Sequence, residues 1–406
     1  MVVRQFGLQW RWTARILSVE PGHGFVDEQD GGPFAEWRHT HRFRDAPDGA
    51  VLEDDITYRL PLGALGQIVA GRAIARIIDR GFTFRHQRTR EDLMQHARAA
   101  LPPQRIAITG ASGLVGSALV AFLRGGGHTV TPLTRRTDPP EGWATFDPAN
   151  GSIDRSALEG LDAVIHLAGE SISQKWDDET KKRIQDSRIK GTRALSEVLA
   201  SLDAPPKVLV SGSAVGFYGL RGQEQVDEDS APGTGFLAET CVAWEQATAT
   251  AETAGIRVVH LRTGIVLTPE GGALGEQLTP YKLGMGGPVG SGEQWISWIT
   301  RDDLLGLILH ALATEDLKGP LNGTAPNPVQ QRTFAKTLGR VLGRPAIVPL
   351  PAFAVRLMFG EMGQNLLLHG QRVHPGRALE TGYTFLHPEL EPALRFLLGR
   401  QIEETA

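Results

Sequence analysis

Gly110, Gly113 and Gly116 stand at a spacing that can cradle a pyrophosphate. They follow a short apolar run, Ile106-Ala107-Ile108, and precede Leu114, Val115, Ala118, Leu119, Phe122 and Leu123, which fall on one helical face. In such a strand–turn–helix unit the first glycine permits a tight turn, the second lets the backbone approach phosphate, and the third packs helix against strand. The free N–H groups and dipole at the helix start then favour the anion. The expected cradle is Gly110, Ser112, Gly113, Leu114, Val115 and Gly116. The alternative is a glycine-rich turn with no ligand. The next strand, Val130–Leu133, ends in Thr134-Arg135-Arg136, with no acid until Asp138. An acid there would bond ribose hydroxyls, whereas a guanidinium fork suits a 2′-phosphate. The pattern therefore favours NADP(H) over NAD(H), unless both arginines are merely solvated. Asp147 is expected either at the adenine edge or as a turn residue.

The elements that must carry these residues alternate. After Leu101-Pro102-Pro103, strands are expected at Ile106–Ile108, Val130–Leu133, Ala163–Leu167, Val208–Val210 and Arg257–Leu261, with helices near 177–201 and 236–254. That rhythm gives an α/β fold with a mostly parallel sheet covered on both faces. Open parallel sheets bind ligands at the carboxyl edge, which makes Arg262 a candidate, the alternative being a structural ion pair. Arg188, on the helix near 177–201, is expected to reach a cofactor or substrate anion, or else to be a surface cation. Trp295 and Trp298 are expected as walls of a loop at 284–292 or as core, and Thr300 as a helix N-cap. The last 60 or so residues, broken by Pro349, Pro351, Pro375 and Pro388, read as a small helical substrate-side lobe.

Before the prolines the chain reads differently. Trp37, His39, His41 and Phe43 alternate with polar residues as in a half-exposed strand, Ile56, Tyr58 and Leu60 repeat the pattern, and Asp45–Ala50 reads as the hairpin loop between them. From about Leu65 the pattern is helical, with Thr89 and Asp92 placed to start a helix. The expected domains are 1–100, 104–345 and 346–400. His39 and His41 project from one strand face, and with His23 or His86 they would resemble zinc ligands. They are read as two surface histidines, and no metal site is assigned.

Composition sets outer limits. At 406 residues, 41% apolar and 22% charged, the chain is an ordinary globular protein able to bury a core without staples. Its 42 Lys and Arg against 46 Asp and Glu leave a net charge of -4, so nothing advertises a nucleic-acid or membrane partner. Cys241 is the only cysteine, which fits a reducing compartment, and no signal peptide or membrane span is evident. The expected location is cytoplasmic, and the expected partner is a small-molecule substrate of unknown identity, anionic if Arg188 meets it.

Several stretches carry a family resemblance: the Gly-x-x-Gly-x-x-Gly turn, Val164–Glu170, Ser211–Gly219, Trp244-Glu245, Leu261–Leu267, Leu283–Gly292 and Trp298–Asp303. Over about residues 104–400 the chain resembles the extended short-chain dehydrogenase/reductases, and more narrowly their atypical, nucleoside-diphosphate-sugar epimerase-like subgroup. The resemblance implies a Rossmann doubly wound sheet, a small C-terminal substrate lobe and bound NADP(H), with Leu167, Ala168 and Gly169 beside the cofactor. The amino-terminal segment is similar to the second half of helix-grip domains of polyketide cyclase-like proteins, through Gly24–Gln29, Gly32–Phe34 and Trp37–His41. Because it begins midway through that fold, an enclosed pocket is expected only if another chain completes it, as in a homodimer.

Superfamily catalysis uses a Tyr and a Lys four residues apart on one helix, with a Ser from the preceding strand. The resemblance places Leu237 and Cys241 at the first two positions and Ser213 at the third. Leu237 carries no proton. The remaining acid–base candidates are Tyr218, Cys241, Glu239 and Glu245, where Tyr218 is the better donor or a packing residue. Cys241 is otherwise a small buried hydrophobe, and the two glutamates are otherwise solvated helix charges. Two functions follow: an NADP(H)-dependent oxidoreductase or epimerase-like enzyme, and a catalytically silent NADP(H)-sensing or scaffold protein.

Overall fold

The computed structural model describes residues 2–5, 8–47 and 49–400. It divides into two compact units, Met1–Arg85 and His86–Ala406. In the first, β1 (Thr13–Glu20), β2 (Gly24–Gly31), β3 (Glu36–Ala46) and β4 (Gly49–Arg59) form an antiparallel sheet in chain order. The two-residue alternation in β3 is real: Trp37, His39 and His41 are buried on one face, and of the four only Phe43 is exposed. The hairpin closes with Ala46 opposite Gly49, and Asp48 lies outside the described residues.

Helix α1 (Gly63–Ala99) starts near Leu65 as expected but does not restart at Thr89. No proline interrupts 63–99, so Thr89 lies inside a continuous helix instead of capping a new one. The helix stops just before Leu101-Pro102-Pro103, whose rings forbid its continuation.

The second unit is the expected Rossmann sheet. Its strands are β5 (Arg105–Thr109), β6 (Thr129–Thr134), β7 (Ala144–Asp147), β8 (Ser152–Ile153), β9 (Ala163–His166), β10 (Val208–Ala214), β11 (Arg257–Thr263) and β12 (Gly319–Gly323). They lie in the order β8-β7-β6-β5-β9-β10-β11-β12, parallel except for β8. Its helices include α2 (Gly116–Gly125), α3 (Asp178–Ala200), α4 (Phe236–Gln246) and, after β11, α5 (Arg301–Ala313).

Strand alternation divides the core. Ile106, Ile108, Ile165, Val210 and Leu261 pack with Leu119 and Leu123 of α2 and Leu304 and Ile308 of α5. Ala107, Val164, Leu209 and Val258 turn to the other face and meet Leu195 and Leu199 of α3. Each Leu, Ile or Val so buried contributes about 1.5–3 kcal/mol, which is why the strands read as unbroken apolar runs. The strand order reverses between β5 and β9, and the crevice for a ligand opens there, beyond the carboxyl ends.

The carboxy-terminal segment is helical, as expected, over Ala352–Leu367, Gly376–Glu380 and Leu390–Leu397. Thr300 caps α5 by accepting from the Asp303 N–H at 3.0 Å. The buried Asp303 carboxylate also accepts from the backbone N–H groups of Leu386 at 2.7 Å and His387 at 3.0 Å, tying the last segment to the sheet. Among the described residues, no helix is long and apolar enough to cross a membrane.

Candidate functional site

The glycine turn sits where β5 meets α2. Gly110 has φ +69°, and a Cβ there would stand 2.8 Å from the Leu167 carbonyl carbon. A Cβ on Gly116 would stand 2.2 Å from the Gly110 oxygen. Both glycines are therefore required by the packing of the protein itself. Gly113 differs: it is exposed, and a Cβ would find only the Gly110 oxygen, at 3.2 Å. Bare backbone faces solvent there, and α2 begins with no side-chain cap on its N–H groups. Ser112 is exposed, while Leu114 and Val115 are half-buried.

Thr109, which the sequence reading passed over, knits the turn to β9. Its Oγ1 accepts from the backbone N–H groups of Leu167 at 3.1 Å and Ala168 at 3.2 Å. With its acceptor side used, the hydroxyl donates its proton to His166 Nδ1, 2.7 Å away. His166 is fully buried, and burial pushes its pKa down to about 4, so the ring stays neutral. The loop Leu167–Gly169 is thus fixed against the glycine turn, as the motif requires.

Arg135 and Arg136 are exposed at the end of β6, and neither forms an ion pair among the described residues. Thr134 Oγ1 accepts from the Arg136 N–H at 3.3 Å and shapes that bend. Asp147 ends β7 buried, accepting from Asn150 Nδ2 at 2.6 Å, which is turn chemistry. Arg188 is not a surface cation: it is half-buried, donates to the carbonyl oxygens of Glu170 at 2.9 Å and Ile184 at 3.1 Å, and lies 5.1 Å from the centre of the Trp244 ring. Its guanidinium carbon would be 3.3 Å from a Cβ on Gly169, so it backs the loop after β9.

At the ends of β10 and β11 lies a polar network in which Arg262 forms the structural ion pair that the sequence reading gave as its alternative, with a partner that reading did not assign. Arg262 grips Glu245 with both arms, Nε to Oε1 at 2.8 Å and Nη2 to Oε2 at 2.9 Å. Ser213 Oγ donates to the same Glu245 Oε1 at 2.7 Å. Arg262 Nη1 donates to Tyr218 Oη at 3.1 Å, and Tyr218 donates to Asn322 Oδ1 of β12 at 2.7 Å. The Arg262 guanidinium also stacks 3.4 Å from the Phe217 ring centre. Burial opposes its charge, but the Glu245 carboxylate outweighs burial and holds its pKa above the usual arginine range. Glu245 is accordingly not a solvated helix charge, because α4 turns it inward to meet Arg262. Glu239 stays exposed and reaches back to the Gly235 N–H at 3.3 Å.

The proton-bearing candidates on this edge are poorly placed for proton exchange. Tyr218 is 0% exposed, and burial pushes its pKa up to about 12 despite Arg262. Its hydroxyl both donates and accepts within the protein, so a packing and positioning role fits the geometry. Cys241 is 4% exposed, and burial together with the Glu245 charge pushes its thiol up to about 12. Leu237 and Cys241 face Gly216, where a Cβ would meet them at 3.3 Å and 3.8 Å. Of the two tryptophans, Trp298 is core with its N–H bound to the Asn327 carbonyl, while Trp295 is half-buried and donates to Gln223 Oε1.

Residues 106–322 match the NAD dependent epimerase/dehydratase family, 350–397 a domain of unknown function, and 1–81 the polyketide cyclase / dehydrase and lipid transport family. The chain is 42% identical over 296 residues to an epimerase family protein, MT2273, of Mycobacterium tuberculosis, covering 73% of this chain and 98% of that one. It is 38% identical over 299 residues to human epimerase family protein SDR39U1, covering 73% of this chain and all of the human one. A nucleoside-diphosphate sugar epimerase structure from Corynebacterium glutamicum aligns with TM-score 0.80 at 33% identity, over 98% of this chain and 80% of that chain. Human SDR39U1 (isoform2), solved with NADPH, aligns with TM-score 0.68 at 37% identity, over 72% of this chain and 98% of the human one. With its doubly wound sheet, its glycine turn and these relatives, the chain belongs to the NAD dependent epimerase/dehydratase family, among the atypical short-chain dehydrogenase/reductases.

Proposed function

We propose that this chain binds NADP(H) in the crevice at the ends of β5, β6 and β9, and serves as an NADP(H)-dependent oxidoreductase or epimerase-like protein for a small molecule. The observation that carries the reading is the bare backbone at Gly113, between two glycines that the fold itself demands. It is the kind of surface a diphosphate needs, and the human relative solved with NADPH supports the same choice. Ser112, Leu114, Val115, Leu167, Ala168 and Gly169 would complete the walls. Arg135 and Arg136, exposed and with side chains that form no ion pair among the described residues, would meet the 2′-phosphate. When bound, the nicotinamide supplies or accepts a hydride.

The protein's own part in any chemistry falls to Ser213, whose hydroxyl donates to the Glu245 carboxylate that Arg262 fixes and so keeps its lone pairs to accept from a substrate O–H. A second reading, a catalytically silent sensor of NADP(H), is favoured by one observation. The Tyr218 and Cys241 pKa values are both pushed up to about 12, and the resemblance puts Leu237 and Cys241 where the superfamily keeps its Tyr and Lys. Neither Tyr218 nor Cys241 then exchanges a proton readily near neutral pH.

Two measurements test these readings. By titration calorimetry the protein should bind NADPH at least ten times more tightly than NADH, and Arg135→Ala should remove most of that preference. Equal affinities in the unsubstituted protein would refute the arginine argument. A substrate screen following NADPH absorbance separates enzyme from sensor. Turnover that falls by about 10²-fold or more in Ser213→Ala supports the orienting serine, while no turnover across broad carbonyl and nucleotide-sugar panels supports the silent reading.

A further inference from the structure

The first unit contains a second cluster of chemistry that the dinucleotide reading does not use. His39 and His41 are both 4% exposed, so the sequence reading of two surface histidines is wrong. The sheet turns them inward, and its register supplies their partners: Asp27 of β2 stands opposite His39, and Asp54 of β4 stands opposite His41. Neither His23 nor His86 is in the cluster.

The proton arrangement is informative. Asp54 Oδ1 lies 2.9 Å from His39 Nε2 in hydrogen-bonding geometry, so the ring donates from Nε2 and Nδ1 is left as a lone pair. That lone pair is 3.7 Å from Asp27 Oδ2. His41 Nε2 lies 3.1 Å from the same Asp27 oxygen in hydrogen-bonding geometry; it becomes a ligand nitrogen when its proton moves to the buried, unpartnered Nδ1, which stands 2.8 Å from Asp54 Oδ1. Two imidazole nitrogens and one carboxylate oxygen therefore converge, all within 4.8 Å of one another. A tetrahedral ion with bonds of about 2.0 Å separates neighbouring ligand atoms by about 3.3 Å. The 3.1 Å and 3.7 Å edges bracket that value.

We propose that Asp27, His39 and His41 form a binding site for a divalent transition-metal ion, with Asp54 as the residue that orients His39. Two imidazoles and one carboxylate suit zinc and its neighbours in the first transition row, and three protein ligands leave at least one coordination position open. That position faces a cavity of about 1040 Å³ formed by the unit's own residues, since Asp27, His39 and His41 all line it beside Trp37, Ile78 and Phe82. The cavity is open to solvent, with Leu62, Leu65 and Val69 of its rim exposed, so it is not the enclosed pocket that the sequence reading reserved for a unit completed by a second chain. In a wall that is apolar apart from this cluster and Arg85, the metal is the place where a water or the polar end of a guest molecule is held. The Asp54 carboxylate, accepting the His39 N–H, is the outer partner that metal-binding histidines require.

The test uses the untagged full-length protein, stripped with a chelator and titrated with Co(II), then competed with Zn(II). The expected result is one equivalent per chain with visible ligand-field absorption, displaced by zinc. Binding should be lost in His41→Ala and in Asp27→Asn, and weakened about 10–100-fold in Asp54→Asn. Less than 0.1 equivalent at about 10 µM metal, or equal binding by all variants, overturns the proposal. Should the variants fail to fold by circular dichroism, X-ray absorption of the unsubstituted zinc-loaded protein decides. A shell containing two imidazoles supports the site, and a shell without imidazole overturns it.

Discussion

Gly113→Val should lower NADPH affinity at least 100-fold, about 2.7 kcal/mol, while leaving the thermal midpoint of unfolding within a few degrees of the unsubstituted protein. The separation follows from where the new side chain would go. At Gly113 a Cβ meets only the Gly110 oxygen, at 3.2 Å, and beyond it lies solvent, so the fold absorbs the valine with a small local shift. The branched methyl groups then occupy the space through which a pyrophosphate reaches the backbone N–H groups. Gly116→Val is the contrasting variant. Its Cβ would lie 2.2 Å from the Gly110 oxygen, a backbone atom that cannot step aside, so it should lose stability by 1–3 kcal/mol or more. Paired calorimetric titrations and melting curves check both. A Gly113→Val protein that keeps its NADPH affinity would place the cofactor's phosphates elsewhere.

That contrast also shows why parts of this protein are legible in its sequence. Gly110, Gly113 and Gly116 answer to constraints set within seven residues and by one neighbouring strand, so spacing alone announces them. The apolar strands β5, β9, β10 and β11 are legible for a similar reason, because a parallel strand buried on both faces has nothing but its own composition to show. Strand β12 is not legible. Gly319-Pro320-Leu321-Asn322-Gly323 has no strand propensity, and only its pairing with β11 makes it extended. The continuous α1 shows the limit of local capping signals, since Thr89 and Asp92 would suit a helix start but the preceding helix never ends.

The polar sites were hidden by range. Glu245 looks like any helix carboxylate until Arg262 arrives from the next strand, and Tyr218 finds its acceptor in Asn322, 104 residues away. His39 and His41 share a face by simple alternation, which was legible. Their burial and their two carboxylates depend on the register of β2 and β4 against β3, which no local pattern encodes.

The largest stability effect is expected at the centre of the polar network. Glu245→Leu removes the carboxylate that receives both arms of Arg262 and the Ser213 hydroxyl, and leaves a guanidinium with 4% side-chain exposure facing no counter-charge. Stranding one partner of a buried pair costs about 3–5 kcal/mol, whereas replacing both partners by apolar residues of similar volume is often nearly neutral. Calorimetry should therefore show the thermal midpoint falling by roughly 4–8 °C in the single variant, given about 1.5 °C per kcal/mol for a unit that spans His86–Ala406. Much of that loss should return in the double variant Glu245→Leu, Arg262→Met. The recovery separates two explanations of the first result. If the single variant melts low and the double variant recovers, the damage was an uncompensated charge beneath the carboxyl edge of β10 and β11. If both melt equally low, Tyr218 matters more, because the methionine also removes the donor at 3.1 Å from its hydroxyl. A single variant that melts within 1–2 °C of the unsubstituted protein would mean that water reaches Arg262 and solvates it, and the network would then be too open to hold Ser213 in one orientation.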